Sequence, residues 1–252
     1  MDILYIVGRG GSKCNDFELQ CSLRSIEKYG KNVGKVVISG YCPKWLSDNV
    51  IKVPCEDIYS NTNDHGNRNA NVLNKLLKAI DYVGDEFLVS FDDNFYVKET
   101  DFNNYPHYVR KMEQGIYLPK HTNNESKYMK CLANTRENLE KLGLPILNFA
   151  VHRNLHCTKR SIFANMETLQ WIIDNSIQCD RFCLLNNWEY KNYPFDVVEV
   201  VDVKIKNGGD WWKTDPKETE VFSTGDFTKD DGLYILLSSL YPNKSKYELW
   251  PH

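Results

Sequence analysis

Phe87-Leu88-Val89-Ser90-Phe91 runs straight into Asp92-Asp93-Asn94. An apolar strand that ends in two carboxylates and an amide is how an α/β sheet presents a divalent cation at its C-terminal edge. These are hard oxygen ligands suited to Mg²⁺ or Mn²⁺, ions that keep several waters and share the rest of their shell with substrate phosphates. The motif points to chemistry on a phosphorylated substrate. The same tripeptide is also good turn chemistry, because Asx side chains bond nearby backbone, so the metal reading depends on which other polar groups converge on it.

Four further sets of residues are candidates to converge there. Gly8-Arg9-Gly10-Gly11-Ser12-Lys13 lacks the Gly-Lys-Ser/Thr ending of a P-loop and the GxGxxG spacing of a dinucleotide site. Its glycines nevertheless let backbone N–H groups approach a diphosphate, which Arg9 and Lys13 could neutralise. Arg68, Asn71 and Lys75 share one side of an expected helix preceding the Asp-Asp-Asn strand; they read either as donor phosphate contacts or as a solvated face. His152 and His156 follow the apolar segment Leu147 to Val151. An imidazole at His152 would either complete the metal set of Asp93 and Asn94 or position an acceptor hydroxyl as a catalytic residue. For a base the loops offer Asp180, Asp202 and Asp226, of which Asp180 and Asp226 are put forward beside His152, although geometry must rank them. Trp188, Tyr190, Tyr193 and the pair Trp211-Trp212 could stack on a sugar ring or base.

The elements that must position these groups read as an α/β chain. Ile3 to Val7 is a buried strand, Asp16 to Tyr29 an amphipathic helix closed by Gly30, and Lys35 to Ser39 a second strand. Pro43 to Leu46 reads as a helical turn, Ile51 to Pro54 as a strand, Ser60 to Gly66 as a polar loop and Ala70 to Tyr82 as a helix. Beyond the Asp-Asp-Asn strand the alternation weakens. Strands are expected at 115–118, 147–151 and 197–205, and helices at 135–142, 159–175 and 230–240. The pattern predicts one domain over 1–252: a mainly parallel, Rossmann-like sheet flanked by helices to about residue 105, then a less regular acceptor-side half whose aromatic-bearing tail docks.

The 252 residues, 42% hydrophobic, suffice to bury one substantial core. A formal charge of −3 supplies no global field for nucleic acid, which disfavours constitutive DNA binding. No apolar run approaches the ~20 residues that span a bilayer, and the N-terminus enters a strand-like segment at once, so a cytoplasmic protein without a membrane partner is expected. The eight cysteines show no paired CxxC spacing and read as free, mostly buried thiols.

Together, the N-terminal strand, Phe17 to Ile26, Val36 to Gly40, Pro43 to Leu46 and Phe87 to Phe95 resemble, in order and spacing, nucleotide-sugar-dependent transferases of the GT-A fold. The likeness is to Stealth-type sugar-phosphate transferases and to small glycosyltransferase-like proteins of bacteria and their phages. It spans most of residues 2 to 105 and continues through Leu147 to His156, Asp202-Val203-Lys204 and Phe222 to Asp226. The resemblance implies that Asp92-Asp93-Asn94 stands at that fold's DxD motif, with Asn94 departing from its usual final Asp. It further implies donor contacts from Gly8 to Lys13, Arg68 and Lys75, and an Mn²⁺ or Mg²⁺ cofactor. The acceptor would be a glycan or a hydroxymethylated DNA base. Glycosyl transfer, sugar-phosphate transfer and a catalytically silent nucleotide- or partner-binding module are all compatible with these residues.

Overall fold

The computed structural model of the chain describes residues 1–8, 14–113, 115–120, 126–205, 219–225, 227–229 and 232–249. β1 (Asp2–Val7) is buried continuously from Ile3 to Val7, as a central strand covered on both faces must be. In α1 (Phe17–Tyr29), Leu19, Leu23 and Ile26 are buried at helical spacing, and the Gly30 N–H donates to the Ile26 carbonyl to close the last turn. β2 (Gly30–Lys31), β3 (Val36–Gly40) and β4 (Val50–Pro54) follow, and α2 (His65–Ala79) packs on β1 and β3 before β5 (Glu86–Ser90).

α2 begins at His65 and not at Ala70, because Asp64 accepts a hydrogen bond from the Asn67 N–H at 3.0 Å and caps it. The Asn- and Asp-rich stretch that reads as loop therefore contains the first turn. Gly66 is required in that turn: a Cβ there would lie 1.7 Å from the Ser176 carbonyl oxygen.

The less regular half comprises β6 (Asn94–Tyr96), β7 (Thr100–Asp101), β8 (His107–Arg110), α3 (Lys127–Lys141), β9 (Leu155–Thr158), α4 (Lys159–Ala164), α5 (Met166–Asp174), α6 (Arg181–Asn192), β10 (Val197–Val200), β11 (Lys204–Ile205), β12 (Val221–Thr224) and α7 (Gly232–Leu240). Here the expected boundaries need correction. Leu147 to Val151 is not a strand; it is held irregularly, with the Asn148 N–H on the Ile116 carbonyl, its own carbonyl on the Arg110 N–H, and a single bridge from Leu147 to Tyr117. The strand comes later, so His152 precedes it and His156 lies within it. Residues 115–118 form only isolated bridges, and Pro43 to Leu46 is a turn. α3 starts at Lys127, and Thr135 bonds the Cys131 carbonyl inside the helix instead of capping it. The 159–175 segment divides at Asn165 into α4 and α5, and the 197–205 segment divides into β10 and β11.

The main sheet has the order β4-β3-β1-β5-β9, with the first four strands parallel and β9 antiparallel to β5. Smaller pairings join β10 to β8, β11 to β12 to β6, and β2 to β7. This is a mixed α/β architecture with a mainly parallel, Rossmann-like sheet flanked by helices. One apolar core surrounds the main sheet, and a second gathers Phe95, Phe222, Leu233 and Tyr241 between β6, β12 and α7. β6 divides them, sending Phe95 into the small core and Tyr96 into the large one, as strand alternation requires. The tail docks through Glu248, which takes two bonds of 2.7 and 2.6 Å from Arg24. Among the described residues no helix is long and apolar enough to cross a membrane, and all eight cysteines are free thiols, six of them buried.

Candidate functional site

From β1 the chain winds outward to β3 and β4, then returns through α2 to β5 on the other side of β1. The C-terminal ends of β1 and β5 therefore flank the point where the winding reverses, the crevice in which open α/β sheets hold ligands. Gly8 leaves β1 there with open space where a Cβ would stand. Phe91, Asp92 and Asp93 leave β5, and Asn94 opens β6.

The short sheet beyond β5 supplies partners from far along the chain. Asn94 is in register with Ser223 of β12, which is in register with Lys204 of β11. This places the Lys204 ammonium 3.6 Å from an Asp93 oxygen. The Asp92 carboxyl is pushed up to about 7, first by desolvation and then by the negative charges of Asp93, Glu18 and Asp16. A site that buries one carboxyl beside others until it holds its proton near neutrality is electrostatically prepared for a cation.

The surroundings are short of hydrogen bonds. Both polar atoms of the Asn94 side chain and the Ser223 and Thr224 hydroxyls are buried without a hydrogen-bond partner. Such groups are rare in native proteins and mark places that an ion, water or ligand completes. Asp202 lies 3.5 Å from the Arg110 guanidinium. Burial raises its carboxyl, opposed by Arg110, the His152 backbone amide, Arg153 and Lys204. On the α6 side, the Arg181 guanidinium sits 5.9 Å over the Phe91 ring and 4.7 Å over Phe182, with its Nε buried and unpartnered. A cation thus stands beside the end of β5.

The remaining expected site residues are distributed unevenly. His152 comes to this region through its backbone near Asp202, yet among the described residues it does not join Asp92 and Asp93 within ligand-sharing distance. Asp180 is the N-cap of α6, its Oδ1 accepting from the Phe182 and Cys183 N–H groups at 3.1 and 2.9 Å. Asn71 clamps the Tyr59 backbone, accepting from its N–H at 2.9 Å and donating to its carbonyl at 2.8 Å. Lys75 is buried and ion-paired with Asp57. It reaches the sheet's C-terminal edge because Gly40, at φ +110°, leaves its stem room: a Cβ there would lie 2.9 Å from it. Arg68 is exposed and bonds the Thr62 carbonyl. Tyr190 and Tyr193 pack on Phe195 and Trp188. Arg9, Gly10, Gly11, Lys13, Trp211, Trp212 and Asp226 lie outside the described residues.

Lys204 and Asp202 carried a sequence signal, the triplet Asp202-Val203-Lys204. Arg110, Arg153 and the like-charged Asp16 and Glu18 carried none, since only folding brings them to Asp202 and Asp92. Fitness for a hard cation rests on two crowded carboxylates and the unpartnered Asn94 amide, a donor set of the right chemistry. No family model matches the chain, and no curated protein matches it in sequence.

Proposed function

We propose that the protein is a metal-dependent glycosyltransferase of GT-A-like fold. It would move a sugar from a nucleotide-sugar donor to a hydroxyl of a glycan or of a hydroxymethylated DNA base. The observation that carries this reading is the carboxylate pair at the switch-point end of β5, where Asp92 is raised to about 7 by burial first and by its like-charged neighbours second.

Asp93, Asp92 and the Asn94 amide oxygen would hold Mn²⁺ or Mg²⁺, which when bound neutralises a diphosphate and stabilises charge on the leaving group. Gly8 leaves room for the diphosphate to approach the backbone, and Arg181 adds positive charge beside Phe91. A cavity of about 190 Å³ lined by Gly40, Tyr41, Pro54, Asp57 and Lys75 suits the nucleoside. On the acceptor side, Asp202 is the carboxylate whose raised proton affinity suits taking the hydroxyl proton. Lys204 links it electrostatically to Asp93.

Arg110 and Arg153 beside Asp202 support a second reading, Stealth-like sugar-phosphate transfer, because planar guanidinium groups suit a phosphoryl group in transit. Product analysis separates the two: phosphate retained in the linked product rules out glycosyl transfer. For the donor site itself, calorimetry and donor hydrolysis with a panel of nucleotide sugars and Mn²⁺ or Mg²⁺ are expected to show metal-dependent binding lost in Asp93→Ala. Metal-independent binding that survives that substitution would leave only a nucleotide-binding module.

A further inference from the structure

At the opposite end of β5, Glu86, His107 and His156 each offer one ligand atom, all within 4.8 Å of one another. We propose that these three residues form a second cation site, selective for a zinc-class dication and separate from the Asp92-Asp93 cluster. The proposal does not depend on the donor chemistry, and its residues come from three strands. Glu86 opens β5 opposite Thr158 of antiparallel β9, and Leu88 lies opposite His156. Glu86 and His156 are therefore diagonal neighbours on one face of the sheet. His107 opens β8 and stacks on His156 at 3.8 Å and 18°, backed by Phe195 at 3.7 Å.

The nitrogens are set up as ligands. His156 Nε2 lies 2.6 Å from the Tyr105 carbonyl oxygen. That oxygen only accepts, so Nε2 carries the proton and Nδ1 the lone pair. Fixing an imidazole tautomer through a carbonyl on the far nitrogen is the usual outer support of a metal-bound histidine. His156 Nδ1 and His107 Nδ1 are both buried with no hydrogen-bond partner, in a residue that is 7% exposed in the case of His156. A cavity of about 10 Å³ adjoins both rings, space on the scale of one ion or water.

Two imidazoles and a carboxylate form a donor set for Zn²⁺ and its neighbours, and a poor one for Mg²⁺, which takes oxygen. Ligation turns the His107 ring off its stack to aim its lone pair, and because its Nδ1 makes no hydrogen bond, that turn costs none there. Glu86 is exposed, so the fourth position opens to solvent. An ion held there would tie β8 to β5 and β9 at the edge of the main sheet.

The test uses the full chain with any affinity tag removed, stripped with EDTA and titrated with ZnCl₂ by calorimetry. CoCl₂ is followed by visible absorption, and MgCl₂ serves as the control. One equivalent of zinc is expected, with a cobalt spectrum of nitrogen–oxygen ligation. Glu86→Gln, at an exposed position, and His107→Phe, which preserves the aromatic stack, should each weaken zinc by about tenfold or more, with circular dichroism unchanged. Asp93→Ala should leave zinc binding intact. Absence of stoichiometric zinc binding, or binding that persists in both Glu86→Gln and His107→Phe, would overturn the site.

Discussion

The two ends of β5 carry ligand-like side chains built on opposite principles. At the C-terminal end the groups are oxygens, contiguous in sequence and crowded with like charge: Asp92 is forced up to about 7 by burial, Asp93, Glu18 and Asp16. At the N-terminal end they are a carboxylate and two imidazoles drawn from β5, β8 and β9, with burial pulling His107 down to about 3. The first end stores repulsion that a hard cation relieves. The second stores unpartnered lone pairs that a softer cation completes. The same physics, a polar group buried without its complement, thus favours different ions according to donor atom and charge.

The largest expected effect separates the two ends. Asp93→Ala should weaken Mn²⁺-dependent nucleotide-sugar binding by about a hundredfold or more, removing a charged ligand, and leave zinc untouched, while His107→Phe should do the reverse. If one substitution weakened both ligands, the two ends would be a single coupled site and the comparison would fail.

Next comes Asp92→Asn in EDTA. The folded carboxyl is pushed up to about 7 from its ordinary 3.8, so the folded state binds more protons between those limits. The contribution of Asp92 is most favourable at low pH and is lost as pH rises through about 7. Asp92→Asn should therefore be more stable than wild type, by a margin that widens from about pH 4 to about pH 7 and is level above that. Full linkage would give roughly 4 kcal/mol; solvent reaching this half-buried carboxyl screens about half of it, leaving on the order of 2 kcal/mol at pH 8, or about 4–8 °C in Tm. Saturating Mn²⁺ should close the gap; a margin independent of pH would show that the carboxyl is not held above its ordinary value.

Asp180→Ala should cost about 1 kcal/mol of stability through loss of the α6 cap, read as a fall in Tm of about 2–4 °C. Lost turnover at unchanged Tm would instead make Asp180 a base. Smallest is Lys204→Ala. The ion pair with Asp93 is partly exposed, so unfolding by urea should show a loss of only about 0.5 kcal/mol. A larger fall in donor affinity would mean that Lys204, rather than a divalent ion, neutralises the donor.

Legibility followed contiguity. The first strands and α1 were readable because each carries its own pattern: a continuous apolar run for β1, and Leu19, Leu23 and Ile26 on one face for α1. The apolar pattern of α2 starts five residues late, because its first turn is polar and its cap, Asp64, sits in a stretch of asparagines. The segment before His152 was misread because apolar residues at 147–151 satisfy burial equally well in irregular structure when Ile116, Arg110 and Asn187 supply the backbone partners. For Asp180 the sequence offers an aspartate at a loop end, and the fold adds that its Oδ1 accepts from the Phe182 and Cys183 amides of the next helix.

By itself, the sequence determined the parallel α/β opening and the Asp92-Asp93-Asn94 cluster at a strand end, since hydrophobic period and adjacent side chains are local properties of the chain. Tertiary structure alone decided that Lys204 would meet Asp93, that Asp16 and Glu18 would add charge to Asp92, and that Glu86, His107 and His156 would share one face. Those encounters depend on strand order and register, which are settled when distant segments bury their apolar faces against one another and which no local pattern records.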